Sequence, residues 1–205
     1  YSNKWGRFAW SSNFTLSSNE NRILELVDNY RHPETGQIIT KERLDVGGLN
    51  QAHFILKKGG SLGDLYSIID LQRDANGHVY VDENDKIYTV SENIDDIRLG
   101  SVFPKANMAW RNDFKWGNFN FGCMVSARLG GIVYSATQAY LDYFGVSEDS
   151  AAARDAGGVR INGNSLIPAY NWYEVVGGKS LPQYYTYSAT NIRLQEASIG
   201  YTIPR

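Results

Sequence analysis

Three histidines, His32, His53 and His78, are the only imidazoles in this chain of 205 residues. None stands at metal-ligand spacing from another His or from the single cysteine, Cys123, so a zinc-type centre is not expected. The string DANGHVYVDEND at 74–85 is rich in oxygen ligands but lacks the alternating ligand positions, the central Gly and the closing Glu of a calcium loop, and it reads as polar turns. GGSLGD at 59–64 has glycines but neither the Lys-Ser/Thr nor the helix of a phosphate loop. Asn13-Phe14-Thr15 spells a glycosylation sequon, yet it falls inside a strand pattern. With so few imidazoles there is little material for a nucleophile with a positioned base, and the carboxylates are scattered, so enzymatic chemistry and a bound cofactor are not expected.

Binding chemistry is better represented. Tyr140, Tyr143, Trp172, Tyr173, Tyr184 and Tyr185 gather in one long segment with Asn162, Asn164 and Asn171 nearby. Aromatic faces rimmed by amides suit sugar stacking or contact with a covering partner, and the same rings could also pack the segment against itself. A second set, Arg7, Arg111, Asp113, Lys115 and Arg128, lies on the polar side of alternating strands. Those charges are expected to pair with one another or to touch a ligand.

The elements that must position these residues are strands. In ANMAWRNDFKWGNFNFGCMVSARL (106–129), Met108, Trp110, Phe114 and Trp116 alternate with Asn107, Arg111, Asp113 and Lys115, a period of two. The second arm, Phe119, Phe121, Cys123, Val125, Ala127 and Leu129, continues the apolar set in opposite parity. A two-residue turn at Gly117-Asn118 explains the switch, because it pairs Trp116 with Phe119, Phe114 with Phe121 and Trp110 with Val125. Each arm has about the 9–11 residues that a tilted strand needs to cross a bilayer. The apolar face would meet a second sheet in a sandwich and lipid in a barrel, and the hairpin alone fits both.

Strands are expected at about 5–17, 22–28, 48–57, 62–71, 106–116, 119–129 and 190–203. The last carries a parity slip between Leu194 and Ala197 that implies a bulge. Residues 72–105 read as an elaborated loop. Within 130–189 the period lengthens, and helices are expected at 135–144, 147–158 and 168–176, the second capped by Ser147 and stopped by Gly157. If strand 5–17 runs downward, the turns near 18–21, 57–61 and 117–118 fall at one end and every long segment at the other, the asymmetry of an outer-membrane barrel.

Composition sets the remaining bounds. A net charge of −2 and a pI near 5.9 give no electrostatic case for nucleic acid. One cysteine cannot form an internal disulfide, and the 14 Tyr and 20 Gly suit strands and loops. No run approaches the 18 apolar residues of a membrane helix, and no signal peptide is visible; a chain that opens at Tyr1 and already reads as strand by Trp5 is expected to be a fragment.

The segments KKGGSLGDLYSI (57–68), FPKANMAWRNDFKWGNFNFGCMVSARLGG (103–131), AYLDYFGVSEDSAAARDAGGV (139–159) and YSATNIRLQEASIGYTIP (187–204) resemble the C-terminal half of the SusC/RagA family of TonB-dependent outer-membrane transporters of Bacteroidetes. The resemblance runs, in order, from Trp5 to Pro204. It implies a mainly β fold, antiparallel strands forming part of a 22-stranded transmembrane barrel, with 130–189 as a partly helical extracellular loop and with plug and C-terminal strands absent. It implies uptake of glycan or peptide fragments beneath a SusD-like lipoprotein, powered by the TonB complex through the missing plug. On that reading Trp110, Phe114, Phe121 and Val125 face outer-membrane lipid, and Arg7, Arg111, Asp113, Lys115 and Arg128 face the lumen. A secreted or surface β-sandwich that binds glycans is the alternative.

Overall fold

A computed structural model describes residues 1–92, 94–163 and 165–204. The chain divides into two units, one formed by residues 1–20, 103–132 and 188–205, the other by 21–102 and 133–187. In the first unit, β1 (Ser2–Trp5) and β2 (Phe8–Ser17) form a hairpin. The second unit opens with β3 (Val27–Arg31), β4 (Ile38–Lys41), β5 (Arg43–Leu49), β6 (Ala52–Lys57) and β7 (Asp64–Ser67). It continues with β8 (Asp70–Leu71), β9 (Thr89–Val90) and β10 (Ile97–Ser101). The first unit resumes at β11 (Ala106–Trp116) and β12 (Phe119–Leu129).

Next come β13 (Ile132–Tyr134), α1 (Ala136–Tyr143), α2 (Glu148–Asp155), β14 (Val159–Ile161), β15 (Ser165–Ile167), α3 (Ala169–Val176) and β16 (Thr186–Ser188). The last strand, β17 (Asn191–Tyr201), returns to the first unit.

The first unit is one antiparallel sheet in the order β1-β2-β11-β12-β17. The turns Gly6-Arg7 and Gly117-Asn118 each need a positive φ at the first position, +60° at Gly6 and +59° at Gly117, which glycine adopts without steric cost. Pairing of β11 with β12 is unbroken from Ala106↔Leu129 to Trp116↔Phe119. Along β12 and β17 the register steps from Met124↔Glu196 to Val125↔Leu194, leaving Gln195 as the extra residue of a bulge. That extra residue restores parity, so Ile192 and Leu194 share a face with Ala197, Ile199 and Tyr201.

The extent of the first strand differs from the sequence pattern. Residues 5–17 are the end of one strand, a turn and a second strand, because Gly6 reverses the chain; Arg7 therefore lies in the turn and not in the wall. Its guanidinium lies beside the Gly117 turn, where a Cβ on Gly117 would come within 3.0 Å of Arg7 Nη2.

The second unit joins both long insertions. Its four-stranded sheet runs β10-β7-β6-β5, with smaller ribbons β3-β4, β8-β9 and β14-β15. Strands expected at 48–57 and 62–71 thus belong to a different sheet from the hairpin at 106–129, and 22–26 is not strand. Asn50, at φ +54°, turns the chain inside the segment 48–57 and makes two strands of it. In β7 all four residues are buried, with no polar face left for a lumen or for solvent. The asymmetry of connection lengths is confined to the sheet of β2, β11, β12 and β17: two-residue turns close one of its ends, and the connections 18–105 and 130–190 leave the other.

A hydrophobic core of the second unit draws Ile69, Leu71, Val79 and Ile87 from the first insertion and Ala139, Trp172, Val176, Leu181 and Tyr185 from the second, while Ala52, Ile55, Leu65 and Tyr66 are buried in the four-stranded sheet. Pooling apolar surface from both insertions is favourable at roughly 25 cal/mol per Å² buried. Backbone groups of one insertion are satisfied by side chains of the other. The Val79 amide donates to Asn162 Oδ1 at 2.9 Å while Asn162 Nδ2 donates to the Val79 carbonyl at 2.9 Å, and Gln183 Nε2 donates to the Ile69 carbonyl at 2.7 Å. Residues 130–189 and 72–105, which the sequence presents as separate loops, are one packed body for this reason.

The four-stranded sheet also carries a pH-sensitive clamp. Asp96 accepts from Arg43 Nε at 2.7 Å and Nη2 at 2.8 Å and pairs with Lys57 Nζ at 2.7 Å. Hydrogen bonding from Arg43, then from Lys57, holds its carboxyl at about 2, below the ordinary 3.8. A carboxyl whose pKa is lower folded than unfolded stabilises the fold fully above the unfolded value and loses that contribution as pH falls through the folded value. Amide protection in β5 and β6, taken relative to the intrinsic exchange rate at each pH, should therefore fall between about pH 4 and pH 2 in the wild type, and Asp96→Asn should flatten that dependence; an unchanged profile in the variant would assign the acid sensitivity elsewhere.

Candidate functional site

The apolar face of the five-stranded sheet is built in cross-strand rows. Leu16, Met108, Ala127 and Ile192 form one row, and Phe14, Trp110, Val125 and Leu194 the next. Ser12, Asn112, Cys123 and Ala197 follow, then Trp10, Phe114, Phe121 and Ile199, then Phe8, Trp116, Phe119 and Tyr201 at the two-residue turns. Rings dominate the turn end: Trp5 stacks on Phe8 with centroids 6.0 Å apart, and Phe119 meets Tyr201 at 4.8 Å. No second sheet among the described residues covers the face; Trp110 is 51% exposed and Ile199 82%.

The polar row in the middle of this face satisfies itself. Trp10 Nε1 donates to Asn112 Oδ1 at 3.1 Å, and Trp110 Nε1 donates to Ser12 Oγ at 2.8 Å, each indole reaching one row along. Asn112, only 6% exposed, lies under these rings. Pairing of this kind lets two indoles sit in an otherwise apolar surface with their N–H donors met.

On the opposite face Arg111, Asp113, Lys115 and Arg128 lie on the same side of β11 and β12. Arg111 bridges two carboxylates, donating from Nε to Asp113 at 2.9 Å and from Nη1 to Glu196 of β17 at 2.8 Å. A Cβ on Gly122, in the row of Asp113 and Ser198, would come within 2.7 Å of Ser198 Oγ and 3.1 Å of Asp113 Oδ1, so the absent side chain makes room for these groups. The bulge at Gln195 hides the parity of Glu196 in the sequence, so its place on this face is set by the register alone.

The second unit offers a cleft of about 390 Å³ among its three helices, within the range of small-ligand sites. Ser135 caps α1 by accepting from the Gln138 amide at 3.2 Å, and Ser147 caps α2 by accepting from the Ser150 amide at 3.0 Å. Glu148 and Asp149 in the first turn of α2 and Arg154 in its last turn suit the helix dipole. Tyr143, Phe144, Tyr170, Tyr173 and Arg154 line the cleft, with Asp142 buried at its wall.

The six aromatic residues expected to contact substrate or a lid are divided by the fold. Tyr143 and Tyr173 line the cleft, and Tyr140 is exposed on α1. Trp172, 8% exposed, and Tyr185 belong to the core instead, because the α3 positions Ala169, Trp172 and Val176 share the buried stripe. Tyr184 packs edge-on against Trp172 at 5.5 Å. Burial, with the charge of Asp142 second, raises the phenol of Tyr185 far above its ordinary range. Tyr170, Phe144 and Arg154 were missed, although the same helical stripe leaves Tyr170 pointing away from the core.

Asn162 and Asn171 are occupied in holding the unit together, Asn171 Nδ2 donating to the Asp85 carbonyl at 3.0 Å; Asn164 lies outside the described residues.

Among the described residues no three His, Cys, Asp or Glu side chains gather as metal ligands. Asp74 Oδ1 accepts from the amides of Asn76 and His78, and Asp82 Oδ1 from those of Asn84 and Lys86, so 74–85 is a pair of Asx turns. His53 Nδ1 lies 2.9 Å from Asp45. Cys123 is free and half-buried on the apolar face.

No helix among the described residues is long and apolar enough to cross a membrane, which says nothing of strands. No family model matches the chain. It is similar to a TonB-dependent receptor P3 of Formosa agariphila, 23% identical over 216 residues that cover 96% of this chain and 20% of that protein. The chain thus spans about one fifth of the length of the relative it matches.

Proposed function

We propose that this chain is part of an outer-membrane importer of the SusC/RagA type, its five-stranded sheet a stretch of barrel wall and its second unit an extracellular cap. The single observation that carries the reading is the uncovered apolar face, aromatic at the turn end and opposed by a charged face. A strand of 11 residues at ~3.4 Å each, tilted ~45°, rises ~26 Å, which matches the ~25 Å apolar band of such barrels. In the parent protein Arg111, Asp113, Lys115 and Arg128 would face the lumen of a barrel of 22 strands, with Arg7 at its rim. A plug would couple it to the TonB complex, and a SusD-like lipoprotein would close over glycan or peptide fragments. A β-sandwich would need a second sheet over Trp110 and Ile199.

Adjacent residues of β17 provide the test. In a Cys123→Ala background of the parent protein, a cysteine replacing Leu194 should react with a lipid-soluble maleimide and one replacing Arg193 with a water-soluble maleimide. The reverse pattern would reject the wall assignment. Cells carrying the parent protein should take up labelled oligosaccharide or peptide only with an intact TonB complex, and uptake without it would reject the import mechanism.

A further inference from the structure

The helical cleft of the second unit has the chemistry of a binding site. Tyr143, Tyr170 and Tyr173 present rings with hydroxyl rims, and Phe144 meets Tyr143 edge-on at 5.0 Å. Tyr143 is held in place from behind, since a Cβ on Gly178 would approach its ring to 3.0 Å. Tyr170, by contrast, is 70% exposed. A ring that is apolar on its face and hydroxylated at its edge matches a pyranose better than a purely aliphatic ligand, because both partners keep their hydroxyls at the wet margin.

Charge narrows the class. Arg154 Nη1 donates to the Gly145 carbonyl at 2.8 Å, which fixes the guanidinium at the cleft. Among the described residues that is its one hydrogen bond, and it has no carboxylate partner, so Nε and Nη2 remain available. The nearby carboxylate of Asp142 is buried and accepts from Gln138 Nε2 at 3.0 Å. The cleft therefore combines stacking faces with a fixed cation that has no ion-pair partner among the described residues, the Asp142 carboxylate at its wall being engaged by Gln138, and a planar guanidinium binds a carboxylate through paired hydrogen bonds.

We propose that the cleft between α1, α2 and α3 binds a uronic acid residue of an oligosaccharide, Arg154 taking its carboxylate and Tyr170 its ring face. This rests on the import reading only in making the occupant cargo.

The test is calorimetric titration of the full-length parent receptor in detergent with digalacturonic acid, maltose and the tripeptide Gly-Gly-Phe. Digalacturonic acid should bind best. Arg154→Gln should weaken it at least tenfold without changing maltose binding, and Tyr170→Ala should weaken both sugars, while thermal unfolding stays as in the wild type. Failure of the wild type to bind digalacturonic acid, equal binding by Arg154→Gln, or tighter binding of the tripeptide would overturn the proposal. Loss of cellular import with binding intact would instead remove the import reading and leave the site standing.

Discussion

Trp110→Arg should lower the bilayer folding stability of the parent protein by about 2–4 kcal/mol, the cost of a cation near the middle of a lipid-facing strand. The indole sits between Phe14 and Val125 in the second of five apolar rows, and its Nε1 donates to Ser12 Oγ at 2.8 Å. An arginine there would lose that bond and could reach water only by bending past a full row of apolar side chains. Arg111→Ala, one residue away on the other face, should cost far less, because Asp113 and Glu196 are themselves well hydrated when their bridge is removed. Equilibrium unfolding in urea from lipid vesicles measures both. If Arg111→Ala proved the more damaging, the faces would have to be exchanged.

Trp172→Ala should destabilise the second unit by about 3–5 kcal/mol, the range for removing a large buried ring from a packed core. Trp172 is 8% exposed, packs edge-on with Tyr184 and shares the core with Val176 and Leu181. The informative readout is where the damage appears. Ile69, Leu71, Val79 and Ile87 lie in the other insertion yet in the same core. Hydrogen exchange should therefore quicken at 69–90 as well as at 169–185, while β11 and β12 keep their protection. Unchanged exchange at 69–90 would show that the two insertions fold separately.

Some of this architecture is legible in local pattern. The β11–β12 hairpin can be read residue by residue because it obeys three independent local rules at once: alternation with period two, a Gly-Asn turn, and complementary parity across it. The helices are similarly marked, with Ser135 and Ser147 at their starts and glycines beyond their ends. The bulge in β17 is announced by the parity slip after Leu194.

Other features leave no local trace. The turn inside 48–57 depends on Asn50 at positive φ, a state that asparagine tolerates but does not announce. The sorting of the aromatic residues is also invisible in a list of residue types. Trp172 and Tyr173 are neighbours of similar character, and the helical stripe sends the first into the core and the second to the cleft.

By itself the sequence determined which strands are amphipathic, which residues share a face, and where the helices begin, because each of these follows from spacing and from short-range steric and capping rules. Only the tertiary structure decided which strands share a sheet, that two distant insertions make one core, and which rings remain available to a ligand. Those outcomes depend on contacts between residues up to about a hundred positions apart, such as Ile69 with Gln183 across 114, and no local period encodes the partner.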